Sequence, residues 1–422
     1  MKNKMEETNM KGLIFSEDNG QYRFLPGRIT YENDTITKVE TLEESALTQE
    51  EKETYILPGL VDIHLHGCMG VDFSDCVKIT APAILDTICA YETANGITSI
   101  CPATMTCAQD RLLEILQQTK EFVNHTAAQN IQDTPTPQNT QNKEIPQNAA
   151  IRGIYLEGPF LSREKCGAQN PAYCQLPNLA LLDRLQEASG GLIRMVAIAP
   201  ELEGAIDCIR EGSNKENAYR FSIAHTMADY DTAKAAIEAG AKHVTHLTNA
   251  MPAFLNRAPG VIGAAFDDPD TYVELIGDGV HVHPSVIRAM FAMFGPKRIV
   301  LISDGTAATG CVDGKYTLGG QTVYKQGALV TLCDGTIAGS ATNLFDCMKR
   351  VIGMGIPAED VIRCATINPA KSVAIDDTVG SLQVGKRADL LICDTQWNLQ
   401  RVIASGKEIL YNKYIYDKEA TP

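Results

Sequence analysis

Residues 58–67, PGLVDIHLHG, join an apolar stretch to two histidines and a glycine. The apolar run predicts a buried strand, and because strand side chains alternate, His64 and His66 share one face. At the C-terminal end of a barrel strand the pair could bind one metal ion through two imidazoles, while Gly67 lets the chain turn away. Taken alone, the pair is equally compatible with two hydrogen-bonded histidines at a strand end.

Short β-branched apolar runs alternate with amphipathic helical stretches from Ile56 onward, a pattern typical of parallel strands joined by crossover helices. The predicted strands are residues 56–62, 97–101, 151–156, 192–198, 220–224, 242–246, 271–276 and 298–303. This series predicts a (β/α)8 barrel, although a doubly wound open sheet has the same local pattern.

Both flanks of this series read as short strands. Residues 12–55 carry turn signals at Asn19-Gly20 and Pro26-Gly27, and residues 380–411 return to strand-like alternation with glycine turns. The two flanks could therefore pair into one small sheet domain.

A polar tract interrupts the series at residues 124–148. It is rich in Gln, Asn, Thr and Pro and has few apolar residues to offset the entropy of ordering it. We expect a mobile surface loop there.

The composition excludes several classes of protein. A chain of 422 residues with 44% hydrophobic residues can bury the core of one large domain and one small one. A formal net charge of −15 argues against sequence-independent binding to nucleic acid or anionic lipid, and an anionic substrate would need a local basic pocket. Thirteen cysteines without a C-x-x-C pair are typical of a reducing compartment. Without a signal peptide or a membrane-length apolar run, we expect a soluble cytoplasmic protein.

Further imidazole and carboxylate groups end other predicted strands. Glu157, His225 and His246 each end a strand, and Asp304 follows strand 298–303. All fall at the same end of their strands, where such groups suit a zinc-like ion or two ions sharing a bridging carboxylate. Their joint occurrence favours a metal site over coincidence.

The remaining histidines receive structural or open interpretations. His243 should point to the opposite face from His246 and lie in the core or an interface, and His125 should be exposed. For His281 a ligand role and a supporting role are both open. We expect His283 to be structural.

A second cluster, residues 248–260, follows His246 and contains backbone amides, the Asn249 amide and the Arg257 guanidinium. These groups suit a phosphate or carboxylate. A lone loop arginine is more often a solvated surface residue, so the cluster gains meaning only from the neighbouring metal residues.

These segments together resemble the N-acetylglucosamine-6-phosphate deacetylase branch of the amidohydrolase superfamily, from about residue 12 to about residue 411. The matching segments are PGLVDIHLHG, LEGPF, GAQNP, AHT, THLTNAMPAF, GDGVHVHP, ISDGTAATG and AGSATN. The resemblance implies a (β/α)8 TIM-type barrel over residues 58–378 and a small β-sandwich domain from residues 1–57 and 379–422. The tract at 124–148 is an insertion without a counterpart in the family pattern.

The resemblance also implies divalent transition-metal ions, drawn from Zn, Fe, Mn or Co. The implied ligands of one ion are Glu157, His225 and His246. His64 and His66 would hold a second ion that Glu157 bridges and Asp304 approaches as a further metal residue. Asp304 would also be the catalytic acid/base. Family members with a single metal lack the H-x-H pair and often carry a histidine where this chain has Gln169, so this sequence favours two ions.

Substrate contacts are implied in the same way. The implied residues are Ala168, Gln169, Asn249, Ala250, Arg257, His281, Ile337, Ala338, Gly339 and Ser340. In the family a two-fold interface completes the phosphate pocket, so the resemblance implies a homodimer in which Arg257 serves the neighbouring subunit.

The implied reaction is hydrolysis of N-acetyl-D-glucosamine 6-phosphate to D-glucosamine 6-phosphate and acetate in amino-sugar catabolism. N-acetylgalactosamine 6-phosphate is the alternative substrate, because one hydroxyl's orientation separates the two sugars and the motifs do not read it. A small cyclic amide is a weaker alternative. A non-catalytic sugar-phosphate-binding regulatory barrel would not need Asp304 together with five metal ligands.

Overall fold

The computed structural model describes residues 7–132, 149–216 and 218–409. Its first elements are β1 (Glu7–Asp18), β2 (Gln21–Glu32), β3 (Thr35–Thr41), α1 (Gln49–Lys52) and β4 (Tyr55–Pro58). β1 and β2 form an antiparallel hairpin whose connecting residues, Asn19 and Gly20, both have positive φ. Asn-Gly favours such a turn, and the turn predicted there is confirmed.

The turn predicted at Pro26-Gly27 is wrong, because both residues lie inside β2. Gly27 pairs with Gly12 of β1 and with Thr41 of β3. A Cβ atom on Gly27 would lie 2.7 Å from the carbonyl oxygen of Glu40. The glycine therefore permits close packing of the strands rather than a turn.

Parallel strands form the central region. They are β5 (Leu60–Leu65), β8 (Ile97–Pro102), β9 (Ala150–Ile151), β10 (Ile154–Leu156), β11 (Ile193–Ile198), β12 (Phe221–Ile223), β13 (His243–Val244), β14 (Tyr272–Ile276) and β15 (Ile299–Ile302), and a small hairpin of β6 (Gly67–Cys68) and β7 (Val71–Asp72) follows β5. β10 to β15 form one sheet in sequential order, and β5, β8 and β9 form another. Single parallel bridges, Leu65 to Gly305 and Ala103 to Tyr155, join the two sheets at both edges into a barrel.

Helices cover the outside of these strands. They are α2 (Ala81–Ala94), α3 (Gln109–Gln132), α4 (Leu179–Ser189), α5 (Ala205–Ser213), α6 (Tyr230–Ala239), α7 (Gly260–Asp267), α8 (Pro284–Phe294), α9 (Leu344–Gly353), α10 (Ala358–Ala365) and α11 (Ile367–Ser372). None of the helices in the described part of the chain is long and apolar enough to cross a membrane.

Alternate strand residues belong to two separate cores. In β11, Met195 and Ala197 pack in the inner cluster, while Val196 and Ile198 pack in the outer cluster with the helices. Both faces of each strand are therefore buried, which explains why the strands read as continuous apolar runs instead of alternating ones.

Two predicted strands are divided. Segment 56–62 separates at Gly59 into β4 and β5, which belong to different sheets, and segment 151–156 separates into β9 and β10. A Cβ atom on Gly59 would lie 2.1 Å from the Thr98 hydroxyl. Only glycine fits at this crossing between the sheets.

The loop predicted for residues 124–148 is wrong in its first part, because α3 continues through Gln132. Leu112 and Leu116 of this helix are buried, and Phe122 and Val123 pack against the same core. These contacts anchor the helix, and the Gln and Ala residues that follow are acceptable helix formers. The remainder of the tract, 133–148, lies outside the described residues.

An antiparallel sheet that was not predicted from the sequence lies within residues 314–340. Its strands are β16 (Gly314–Leu318), β17 (Gln321–Gln326), β18 (Leu329–Thr331) and β19 (Ile337–Ser340). Gly319 and Gly320 connect β16 to β17, and the Gly319 amide donates a hydrogen bond to Asp72 Oδ2 at 2.7 Å. This contact fixes the sheet beside the β6–β7 hairpin.

Strands from both flanks of the barrel share one sheet. The last strands are β20 (Leu390–Cys393), β21 (Leu399–Ala404) and β22 (Lys407–Ile409). The sheet order is β22-β21-β20-β4-β1-β2-β3, with β4 antiparallel to β20 and parallel to β1. Its core includes Ile29, Ile56 and Leu390, separate from the barrel core.

Candidate metal centre

Five imidazole and carboxylate side chains converge at one end of the barrel. His64 lies in β5 and His66 follows directly after it. The others are Glu157 directly after β10, His225 two residues after β12 and His246 two residues after β13. All five are buried. The C-terminal ends of parallel strands meet at this edge, so residues distant in sequence become neighbours.

The first ligand group contains Glu157, His225 and His246. Glu157 Oε1 lies 3.2 Å from Nε2 of both histidines, and these two nitrogens are 3.1 Å apart. Tetrahedral ligands at zinc-like bond lengths lie about 3.3 Å from one another. The three atoms therefore have the separation that a shared ion requires.

The second group contains His64, His66 and again Glu157. His64 Nε2 lies 3.3 Å from Glu157 Oε1, and His66 Nε2 lies 3.3 Å from Glu157 Oε2. The buried His64 Nε2 makes no hydrogen bond to any described residue, which fits a nitrogen that faces a cation. Glu157 is common to both groups, so its carboxylate could bridge two ions.

Backbone carbonyls fix the tautomers of two ligands. His225 Nδ1 lies 2.8 Å from the carbonyl oxygen of Lys165, and His66 Nδ1 lies 3.1 Å from that of Ala103. A carbonyl oxygen only accepts, so each Nδ1 must donate and carry the ring hydrogen. Each Nε2 therefore faces the centre, and once the ring is deprotonated this nitrogen offers its lone pair, as a metal ligand must. The donor set thus fits a divalent metal ion.

Left-handed backbone conformations occur at three of the converging residues. His225, His246 and Asp304 have φ values of 42°, 29° and 48°. Non-glycine residues in this region cost on the order of 1–3 kcal/mol each and cluster at functional sites. The strands here turn sharply at their ends, which directs these side chains into the mouth of the barrel.

Asp304 is held between neighbouring strands. Its amide donates to the carbonyl oxygen of His64 at 2.9 Å, and the Ser340 amide donates to the Asp304 carbonyl at 2.7 Å. Its carboxylate Oδ1 lies 3.3 Å from His66 Nε2. Burial raises the pKa of Asp304, but the hydrogen bond from His66 and the charge of the two histidines hold that pKa below its usual value. The carboxylate is therefore ionised near neutral pH and can accept a proton.

The same carboxylates perturb the histidines. Burial lowers the pKa of His66, but hydrogen bonds to Asp304 and Glu157 outweigh it and raise that pKa to about 10. Burial likewise acts to raise the pKa of Glu157, while the histidines around it hold the value well below the ordinary one. The site is a dense cluster of mutually stabilised charges, as expected for a functional centre.

A cavity of about 380 Å³ opens above these residues, a size typical of small-molecule sites. The predicted substrate residues that line it are Ala168, Gln169, Asn249, Ala250, His281, Ile337 and Gly339. Ala338 and Ser340 are fully buried and do not line it. Arg257 is exposed and is absent from the lining of its own chain's cavity.

Gln169 is oriented by two neighbours. Its Oε1 accepts a hydrogen bond from the Thr106 amide at 2.6 Å, and its Nε2 donates to Glu157 Oε2 at 2.7 Å. His281 is likewise held, with its Nδ1 2.8 Å from Asp278 Oδ2. Both side chains reach the cavity in fixed orientations.

Several residues that line the cavity were not predicted from the sequence, among them Met105, Lys165 and Leu318. Lys165 is the only lysine or arginine among the described residues that line the cavity. Lys165 lies shortly before the GAQNP segment, and its nearness to that motif is the sequence feature that could have predicted it as a lining residue. It provides local positive charge in a strongly acidic protein.

The other histidines lie outside the cavity lining. His243 is buried with its Nε2 2.9 Å from Glu274 Oε1. His283 is exposed and caps α8 through the Ser285 amide, and His125 is exposed. Glu274, which also contacts His64, was not predicted as a residue of the site. The sequence feature that could have indicated it is an acidic residue inside the apolar strand YVELI.

Comparison with known proteins identifies the family. The Amidohydrolase family model matches residues 55–418. The chain is 32% identical to an N-acetylglucosamine-6-phosphate deacetylase of Bacillus subtilis (strain 168), covering 86% of this chain and 87% of the relative. It is also 32% identical to an N-acetylgalactosamine-6-phosphate deacetylase of Escherichia coli O157:H7, covering 86% and 89%.

A solved structure supports the same assignment. A mutant N-acetyl-D-glucosamine-6-phosphate deacetylase from Mycobacterium smegmatis, in complex with N-acetyl-D-glucosamine-6-phosphate, superimposes with a TM-score of 0.83 at 29% identity. The match covers 96% of this chain and 99% of that structure. The chain therefore belongs to the amidohydrolase family, in the branch that includes the N-acetylglucosamine-6-phosphate deacetylases.

Proposed function

We propose that the chain hydrolyses N-acetyl-D-glucosamine 6-phosphate to D-glucosamine 6-phosphate and acetate in amino-sugar catabolism. The observation that carries this proposal is the ionised Asp304 beside two metal-ligand groups that share Glu157, at the base of a small-molecule cavity. The names of the relatives supply the substrate class.

Two divalent ions per chain, from Zn, Fe, Mn or Co, are part of the proposal. Glu157, His225 and His246 would hold one, and His64 and His66 would hold the other together with Glu157. When bound, such ions lower the pKa of water and polarise the acetyl carbonyl. The shared carboxylate and the converging Nε2 atoms support both positions.

The chain's own contribution to the chemistry is proton transfer and positioning. An amide is cleaved only if the attacking water loses a proton and the departing nitrogen gains one. Asp304 takes the first proton on its carboxylate and delivers it to the sugar nitrogen. Its carboxylate is ionised near neutral pH and so carries no proton of its own before the accepting step, and its hydrogen-bonded backbone supports the position.

Phosphate binding requires local positive charge, because the net charge is −15. Lys165 and His281 line the cavity, and Asn249 and the Ala250 amide add hydrogen-bond donors. We assign Arg257 to the phosphate site of a second copy in a homodimer. Its own cavity excludes it, and its loop exposes Phe254 and Leu255, as an interface segment would.

Replacing Arg257 with alanine should lower kcat/KM for the 6-phosphate sugar about 30-fold, or about 2 kcal/mol, because a charge-assisted contact to phosphate is lost. The slow turnover of N-acetylglucosamine without phosphate should stay unchanged, since the metal ligands and Asp304 are intact. Steady-state amine release on both sugars gives the comparison.

The control for this variant is Arg210→Ala, which removes an exposed arginine of α5 that pairs with Asp207. Equal losses on both sugars in Arg257→Ala would exclude the phosphate role. A fully active monomer in analytical ultracentrifugation would separately exclude the shared pocket.

The finer architecture is also proposed. β5, β8 and β10 to β15 would close a (β/α)8 barrel within residues 58–378, and residues 1–57 with 379–422 would form a separate β-sandwich domain. The two bridging contacts and the distinct core of the flanking sheet support this division. A cytoplasmic location is supported by thirteen cysteines that are all free.

The epimer N-acetylgalactosamine 6-phosphate is a second candidate substrate, because a relative named for it is as similar as the one named for the glucosamine compound. A free-amine assay on both 6-phosphates decides between them. We expect a higher kcat/KM for the glucosamine compound. The reverse order would make the galactosamine compound the substrate, and no amine from either would favour a non-catalytic binding protein.

A further inference from the structure

A third carboxylate connects the two ligand groups from behind. Glu274 lies in the centre of β14 and is fully buried. Its Oε2 lies 3.0 Å from His64 Nδ1 and accepts the His246 backbone amide at 3.0 Å. Its Oε1 lies 2.9 Å from His243 Nε2. One side chain thus contacts a residue of each ligand group.

A buried carboxylate at this position lowers the stability of the fold unless hydrogen-bond or ion-pair partners compensate its charge. Burying a charged group away from water costs several kcal/mol unless partners compensate. The next residue of β14 on the same inner face, Ile276, is buried in the apolar inner cluster, so an apolar side chain would fit at position 274 more simply. The three contacts of Glu274 therefore call for a specific role.

The contact with His64 determines which ring nitrogen faces the centre. An ionised carboxylate only accepts hydrogen bonds, so His64 Nδ1 must donate, and Nε2 presents its lone pair toward Glu157. The Tyr155 ring stacks on the imidazole, with centroids 4.6 Å apart and planes inclined by 30°. Glu274 and Tyr155 together restrict both the rotation and the tilt of His64.

The contact with His246 acts on the backbone. His246 has a φ of 29°, a left-handed conformation that needs support from its surroundings. Its amide donates to the same Oε2 that accepts from His64. A single oxygen therefore fixes a ligand ring in one group and the chain direction of a ligand in the other.

We infer that Glu274 is a positioning residue that orients His64 for metal binding and links the two ligand groups. This inference rests on the proposed two-ion centre. It assigns Glu274 no contact with substrate and no part in proton transfer.

The test is metal binding to Glu274→Gln, measured by competitive titration with Zn²⁺ alone and by the visible absorption of bound Co²⁺. Glutamine is nearly isosteric but uncharged, so it either weakens the charge-assisted hydrogen bond from His64 Nδ1 or places an N–H group against that donor. We expect the ion at His64 and His66 to bind about 10- to 100-fold more weakly. The ion at Glu157, His225 and His246 should weaken less, by about threefold at most, because Glu274 contacts only the backbone amide of His246 there and no ligand side chain of that group.

A double-mutant cycle tests whether the loss of Zn²⁺ affinity in Glu274→Gln acts through His64. In a His64→Ala background, Glu274→Gln should cause almost no further loss of Zn²⁺ affinity, because the ring that it orients is absent. Glu92→Gln is the matched control, since Glu92 is another buried carboxylate and lies on α2. Should Glu274→Gln fail to fold, Glu274→Asp serves instead, since it keeps the charge but withdraws it from His64.

Unchanged affinity for both ions would overturn the inference, and so would the same loss at both. Persistence of the full loss in the His64→Ala background would also overturn it, because a general structural role would then explain the data. A wild-type protein that binds one ion only would contradict the two-ion proposal instead. In that case the inference is upheld only if His64 holds the single ion and Glu274→Gln weakens it, and it is rejected if Glu157, His225 and His246 hold the ion without His64.

Discussion

Asp304→Asn should lower kcat/KM about 100-fold or more while the metal content stays at the wild-type value. Asparagine has nearly the shape of aspartate, so the backbone contacts to His64 and Ser340 should persist. Its amide cannot take a proton from water or deliver one to the sugar nitrogen. The loss should therefore appear in kcat, with KM almost unchanged.

Metal analysis and steady-state kinetics on the same preparation measure both quantities. Asp207→Asn, an exposed aspartate on α5, controls for the substitution itself. Turnover within a few-fold of the wild type would remove Asp304 from proton transfer. A loss of metal together with activity would place it among the ligands instead.

Glu157→Gln should have the larger effect, because Glu157 is the one residue shared by both ligand groups. The substitution removes its negative charge and makes one of its two oxygens an amide nitrogen, which cannot bind a cation. We expect both ions to be lost and kcat/KM to fall about a thousandfold or more, equivalent to roughly 4 kcal/mol of transition-state stabilisation.

The comparison variant is the double substitution His64→Ala and His66→Ala, which should lose one ion and keep the other. Element-specific mass spectrometry after dialysis counts the ions in each protein. Retention of two ions by Glu157→Gln would exclude the bridging role, and retention of one would restrict Glu157 to a single group.

The residues of the candidate centre were predictable because they depend on a rule that acts along the chain. A polar residue that ends a parallel strand lies at the same edge as its counterparts, whatever the distance in sequence. His64, Glu157, His225 and His246 follow this rule, and the structure brings them within ligand distance of one another.

The parts that were missed depend on tertiary packing. Glu274 is acidic within an apolar strand, and only the approach of His64 from another strand shows why it is there. Gly27 resembles a turn residue, but the neighbouring strand explains it. The sheet of residues 314–340 has no continuous apolar run, because much of it is exposed, so periodicity does not reveal it.

The helix through residues 124–132 shows a related difficulty. The polar composition of these residues is typical of a loop. The buried leucines in the first half of α3 stabilise the helix, however, and adding residues to an existing helix requires little free energy. Local composition predicts poorly where a neighbouring segment provides the stability.

The most direct measurement is the release of acetate from N-acetyl-D-glucosamine 6-phosphate by the wild-type protein, first stripped of metal and then titrated with a divalent ion. We predict no turnover without metal, activity that rises until two ions are bound per chain, and a much lower kcat/KM on the sugar without phosphate. Folded, metal-loaded protein that releases no acetate, or equal rates with and without metal, would contradict the account.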